Sequence, residues 1–171
     1  HISRDDIISQ FCSGLDELKS VFGNISPLRL GVRYVNIIDK NKISEELGYN
    51  LDWNSLVSEE FIKLPHEIAN IANTNYMTEV RSNLSEGELA LRYGLVQNQG
   101  TTPDHFRFDL DRYAELSASP DNISETLQAF TQDIYLLFNT VVGDKLKEWM
   151  TLEKAKGESN DCIVSNNPFN A

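Results

Sequence analysis

Alternation of polar and apolar residues is clearest over residues 27–39, PLRLGVRYVNIID. Leu28, Leu30, Val32 and Tyr34 share one parity, and Arg29, Gly31, Arg33 and Val35 share the other. A period of two is typical of a β-strand, so the pattern predicts one long strand with a core face and a charged face. Val35, Ile37 and Ile38 are apolar on both parities, which predicts a second layer of protein over that end of the strand.

Apolar residues at helical spacing predict one long helix before this strand and another later in the chain. Residues 4–22 follow Ser3, a good N-cap, and end before Gly23, with apolar residues at Ile7, Ile8, Phe11, Leu15, Leu18 and Phe22. A second long helix is predicted to begin at Asn122. Asn122 and Glu125 are three residues apart, which is the spacing of a capping box at the start of a helix. Its apolar stripe consists of Leu127, Phe130, Ile134, Leu137, Phe138 and Val141.

Between these helices the sequence predicts short helical turns over residues 44–47, 53–61 and 65–72, and then a three-strand meander over residues 76–83, 88–97 and 105–116. The short loops make neighbouring strands antiparallel. In the second strand Leu89, Leu91, Tyr93 and Leu95 are predicted to face inward, opposite Ala90, Arg92 and Gly94. In the third, Phe106, Phe108 and Leu110 are predicted to face inward, opposite His105, Arg107, Asp109 and Asp111.

The order of elements predicts an α+β fold, in which an antiparallel sheet of one long strand plus the meander has helices packed on one face. A length of 171 residues with 40% hydrophobic residues favours one domain over residues 1–151, followed by a polar tail or linker over residues 152–171. Because the chain begins at His1 and enters a helix almost at once, we expect residues upstream.

Charge and cysteine content restrict the classes of partner. A net charge of −11 opposes binding to nucleic acid or to an anionic membrane, because the phosphate groups of both attract basic surfaces. No apolar run approaches the ~18 residues that a membrane span needs. Cys12 and Cys162 do not form a disulfide or zinc-binding pattern, which favours a reducing, cytoplasmic location.

The candidate functional residues lie on the charged parity of the predicted sheet. They are Arg29, Arg33, Arg92, Arg107, Asp109 and Asp111, with His105 beside them. Converging arginines can hold a phosphate or carboxylate, although a solvated, salt-bridged or covered sheet face has the same composition. Asp109 and Asp111, about 6 to 7 Å apart on a strand, could hold a divalent cation with His105 or act as acid and base.

Nothing else in the sequence supports catalysis. The chain contains no GxGxxG, GxxxxGK[ST], GxSxG or HExxH motif. Without a nucleophile motif or a third fixed ligand, we assign no catalytic residue, no metal and no cofactor, and the balance is against an enzyme.

Gly31-Val-Arg-Tyr-Val-Asn36 resembles the Gly-Leu/Val-Arg-Tyr-Ile/Val-Asn strand signature of a sporadically distributed prokaryotic family of uncharacterised proteins. Asp109-Leu-Asp111 and residues 130–150 also resemble that family. The resemblance covers residues 4–151 and implies that they are the C-terminal part of such a protein. Strands upstream would then cover the charged face, with Arg33 and Asn36 linking the layers. Ile37 stands where the family often has an arginine, and the family has no established activity to carry over.

Two hypotheses follow. The first is a non-enzymatic binding module of a prokaryotic cytoplasm that recognises another protein through its acidic surface or a sheet edge. The alternative is an enzyme or sensor for a small anionic ligand, which requires at least three of the candidate side chains around one pocket. Complete pairing of Arg33 with Asp109 or Asp111 would remove the anchors of that ligand site. A homodimer through the edge strand at residues 76–83 is a further possibility.

Overall fold

The computed structural model describes residues 4–23, 25, 27–62, 76–96, 105–116 and 122–165, with side chains described as far as residue 155. The elements in chain order are α1 (Arg4–Phe22), β1 (Arg29–Asp39), α2 (Lys40–Leu47), α3 (Trp53–Leu56), α4 (Glu59–Ile62), β2 (Thr78–Leu84), β3 (Gly87–Val96), β4 (His105–Glu115), α5 (Ile123–Val141) and α6 (Asp144–Ser165). The predicted Ser3 cap and the predicted helical turn over residues 65–72 lie outside the described residues.

The four strands form one antiparallel sheet in the order β1-β4-β3-β2, packed with helices, and the predicted α+β fold is therefore confirmed. β2 and β3 pair from Thr78 opposite Tyr93 to Leu84 opposite Gly87. Gly87 closes this hairpin with a φ of 86°, a left-handed conformation that glycine adopts without steric cost. β1 and β2 are the two edges of the described sheet.

The chain divides into two compact units. The first comprises residues 1–37, 76–94 and 107–139. In its core the Ile8 side chain of α1 and the Leu30 side chain of β1 pack with Ile123 and Leu127 of α5, with Cys12 and Leu15 against them. Asn122 accepts a hydrogen bond from the Glu125 backbone N–H at 3.1 Å, which confirms it as the cap of α5. Phe108 and Leu110 of β4 are fully buried, as predicted.

The second unit comprises residues 38–75, 95–106 and 140–171. Among its described residues the buried apolar side chains are Ile38, Ile43, Leu51, Leu56, Val57, Phe106, Val141, Val142 and Leu146, and Phe106 is one that the sequence predicts to face inward. Val57 and Val142 form an isolated antiparallel bridge, and the Gly143 N–H donates to the Leu56 carbonyl at 2.8 Å. Residues 152–165, which the sequence assigned to a polar tail, continue α6 as a helix.

One expectation for β1 is wrong. Val35 and Ile37 were predicted to lie under a second layer, but their side chains are 48% and 65% exposed. Ile38, on the other parity, is 5% exposed. The apolar residues at this end of β1 are therefore covered on one face only.

Candidate functional site

The predicted outward face of the sheet is centred on Asp109. Its side chain is fully buried, and it accepts two hydrogen bonds from Arg33, 2.8 Å from Nε and 2.7 Å from Nη2. Arg107 donates to the same carboxylate at 3.1 Å, and Arg92 Nη1 lies 3.9 Å from it. Three of the four candidate arginines therefore converge on one aspartate.

This arrangement fixes the charge state of Asp109. The two hydrogen bonds from Arg33 lower the pKa of the carboxyl below its usual value, against the opposing effect of burial, and Arg107 lowers it further. The same pair raises the pKa of Arg33. Both oxygens of the Asp109 carboxylate are occupied in this structure by hydrogen bonds from Arg33 and Arg107.

Arg29 and Asp111 form a second, looser pair at 3.4 Å. The Arg29 guanidinium lies over the Tyr113 ring, 3.7 Å from its centre, and the Tyr113 hydroxyl donates to Glu88 at 2.5 Å. A shallow concavity of about 340 Å³ opens here, lined by Arg29, Gly31, Arg33 and Asp111. Three predicted site residues share it, but one is acidic and each arginine already faces a carboxylate.

The rest of the face continues the same pairing. On β2, Glu79 accepts hydrogen bonds from Arg81 at 2.6 Å and from Arg92 at 3.1 Å, and these bonds lower the pKa of its carboxyl. Arg29, Arg33, Arg81, Arg92 and Arg107 on this face each lie within 4 Å of a carboxylate of Glu79, Asp109 or Asp111. This pattern indicates a cross-strand ion-pair network.

The metal alternative receives no support from the geometry. His105 Nε2 lies 3.5 Å from Asp39 Oδ2. No three His, Cys, Asp or Glu side chains gather in a metal-binding group within the described part of the chain.

Among the helices of the described residues, none is long and apolar enough to cross a bilayer.

Arg112 is a residue that the sequence interpretation missed. It shares the parity of the buried Phe108 and Leu110, faces α5, and is 3% exposed. Its Nε donates to Asp133 at 2.9 Å, and its guanidinium lies 4.1 Å from the centre of the Phe130 ring. An arginine on the core parity of a strand was the available signal, because such a residue needs an acid on the covering helix.

The opposite parity of the signature strand lines a second cavity. Tyr34 and Asn36 of β1 border about 360 Å³ of space, together with Thr131, Ile134, Tyr135 and Phe138 of α5 and Arg4 of α1. The α5 wall of this cavity is largely apolar, and Arg4 and Asn36 add polar groups. The signature residues therefore divide, with Gly31 and Arg33 at the ion-pair face and Tyr34 and Asn36 at an apolar groove beside an edge strand.

Comparison of the chain with protein-family models, with curated proteins and with solved structures gave no match.

Proposed function

We propose that this protein is a non-enzymatic interaction module that binds an extended segment of a partner protein along the edge of β1. The observation that carries the proposal is the apolar groove between β1 and α5, whose floor includes two residues of the edge strand itself. Recognition by strand addition uses this combination of a free edge and a neighbouring side-chain pocket.

The edge of β1 supplies the backbone part of the site. β1 has 11 residues, and β4 is its only neighbour among the described strands. A sheet edge presents a row of N–H and C=O groups that an incoming strand can pair with. Val35 and Ile37 stand exposed on this strand, so an added strand would also bury apolar surface.

Side chains on both faces of β1 define the segment that fits. Residues of an added strand alternate between the two faces. On the α5 side a large apolar side chain would enter the cavity beside Tyr34 and Asn36. On the other side, aliphatic residues would lie next to Val35 and Ile37, and a carboxylate would lie near Arg29. The expected partner segment is therefore extended, acidic at one end and apolar at the other.

Selection from a display library of random 12-residue peptides tests the proposal. We expect the enriched peptides to have apolar side chains at alternate positions and a carboxylate at one end. Binding of a synthetic consensus peptide should weaken at least tenfold in Ile37→Lys. Val80→Lys is the matched control, because Val80 is an exposed aliphatic residue of the other edge strand, β2. Failure to enrich any peptide, or equal weakening by Val80→Lys, would contradict strand addition at β1.

A second candidate function is binding of a small anion in the concavity lined by Arg29 and Arg33. The long 3.4 Å contact of Arg29 with Asp111 supports it, because an incoming carboxylate or phosphate could replace so loose a partner. The two short bonds between Arg33 and Asp109 argue against it. Thermal-shift titration with inorganic phosphate and acetate tests this candidate. A rise in Tm that Arg29→Ala removes would support it, and no rise would reject it.

A further inference from the structure

The outer side of α1 carries an apolar stripe that is largely exposed to solvent. Ile8, Cys12 and Leu15 face the core, whereas Ile7, Phe11, Leu18, Val21 and Phe22 are each between 48% and 73% exposed. Apolar residues this large, concentrated on one helix face, indicate an interaction surface.

The spacing of this stripe is that of a helix-pairing seam. Ile7, Phe11, Gly14, Leu18 and Val21 follow one another at intervals of four, three, four and three residues. This repeat averages 3.5 residues, the period that keeps one seam facing a partner helix. Gly14 lies at its centre, and nothing stands within 4 Å of the position that a Cβ atom would take there. The backbone of another helix can therefore approach closely at this point.

We propose that the seam pairs with α1 of a second copy of this chain, with the two helices antiparallel and crossing at Gly14. Ile7 and Val21 each stand seven residues from Gly14, and Phe11 and Leu18 stand three and four residues from it on opposite sides. A two-fold axis through Gly14 would therefore bring Ile7 and Phe11 of one copy against Leu18 and Val21 of the other. Such self-complementarity is the requirement of an isologous interface.

The available area fits a reversible dimer. At about 200 Å² for a fully exposed aromatic side chain, and less for an aliphatic one, the five exposed residues present at most about 600 Å² per copy. Two copies would therefore bury at most about 1,200 Å², the lower limit for specific interfaces, so we expect a weak dimer of micromolar affinity. Both copies carry a net charge of −11, so their repulsion should be screened by salt. The dimer should therefore tighten as NaCl rises from 50 to 500 mM.

Sedimentation velocity of the 171-residue chain between 2 and 200 µM tests the pairing. We expect a concentration-dependent dimer that Phe11→Glu and Leu18→Glu each weaken at least tenfold. Ser9→Glu, on an exposed and polar side of the same helix, should leave the dimer unchanged. Circular dichroism must show the same fold for all three variants. A chain that remains monomeric at 200 µM, or a dimer unaffected by the seam variants, would overturn the proposal.

Cysteine cross-linking in a Cys12→Ala, Cys162→Ser background tests the orientation. Gly14→Cys places two thiols at the crossing point, and we expect an interchain disulfide under mild oxidation. Phe22→Cys should not cross-link, because antiparallel helices would hold the two positions about 24 Å apart at 1.5 Å per residue. Cross-linking through Phe22→Cys would indicate parallel helices and would overturn the antiparallel arrangement. None of the seam residues lines the cavity beside β1, so these variants do not test the peptide site.

Discussion

Arg33 of β1 and Asp109 of β4 form an ion pair whose carboxylate is completely buried and whose guanidinium is half exposed. Its two parallel hydrogen bonds fix the relative position of neighbouring strands. Together with Arg107, the pair explains how an aspartate is accommodated at a fully buried position of the sheet. Arg33, Arg107 and Asp109 are thus bound to one another in the folded chain.

Asp109→Asn should destabilise the protein by about 2 kcal/mol, because it leaves partly buried arginines without their counter-charge. The loss is not larger, because these arginines are also partly exposed to solvent, which screens their charges. The folded state lowers the pKa of Asp109, so its stabilising effect is present above the unfolded-state pKa of about 3.9. That effect is lost as the pH falls through the lower folded-state pKa. Urea unfolding between pH 2 and 8 should therefore show a difference from wild type that is constant above about pH 5 and shrinks in acid.

Asp111→Asn provides the control for this experiment. Asp111 is partly exposed and its contact with Arg29 is 3.4 Å, so the loss should be below about 1 kcal/mol. Equal losses for the two variants would show that the short bonds around Asp109 have no special role.

Arg112→Ala should cost about 3 kcal/mol, because it leaves a cavity beside Phe130 and removes the partner of Asp133. Arg112→Met should cost less, since a flexible apolar chain refills the space and removes the buried charge. The midpoints of urea unfolding for the two variants give the comparison. A larger loss for Met than for Ala would mean that the charge, rather than the packing, stabilises this position.

Gly31 shows how closely β1 and β4 approach. A Cβ atom at this position would lie 2.8 Å from the Tyr113 Cβ and 3.1 Å from the Arg112 carbonyl oxygen. We expect Gly31→Ala to lower stability by about 1 to 3 kcal/mol, because backbone must move to relieve the overlap. Gly14→Ala, at an open helical position, should instead raise monomer stability by up to about 1 kcal/mol. Thermal unfolding at low protein concentration measures both changes, and a neutral Gly31→Ala would refute the close approach.

The sequence predicted the helices and strands well because their patterns are long. α1, β1, the meander and α5 each repeat one period over enough residues to determine type and orientation. It also placed Arg33, Arg92, Arg107 and Asp109 on one face, where the structure brings them together. Which carboxylate each arginine contacts depends on strand order, and local patterns do not contain strand order.

Strand order also explains the error at the end of β1. Apolar residues on both parities are typical of a strand covered on both faces, but they also occur on an edge strand that binds another chain. The apolar positions of α1 posed the same ambiguity. A single wide stripe in the sequence divides in the structure into a packed side with Ile8 and an exposed side with Phe11. Hydrophobicity alone does not say which partner buries a residue.

Two adjacent isoleucines of β1 differ in burial, one on the exposed face of the proposed docking edge and one in the core. Ile37 is 65% exposed and Ile38 is 5% exposed, so the same substitution should give opposite results at neighbouring positions. Ile37→Lys should change stability by less than about 0.5 kcal/mol, because its side chain already contacts water. Ile38→Lys should cost at least about 3 kcal/mol, since a charge would be buried without a partner. Differential scanning calorimetry of the two variants measures the contrast. If Ile37→Lys also unfolds the protein, Ile37 is buried in solution, and loss of peptide binding in that variant would no longer identify β1 as the docking edge.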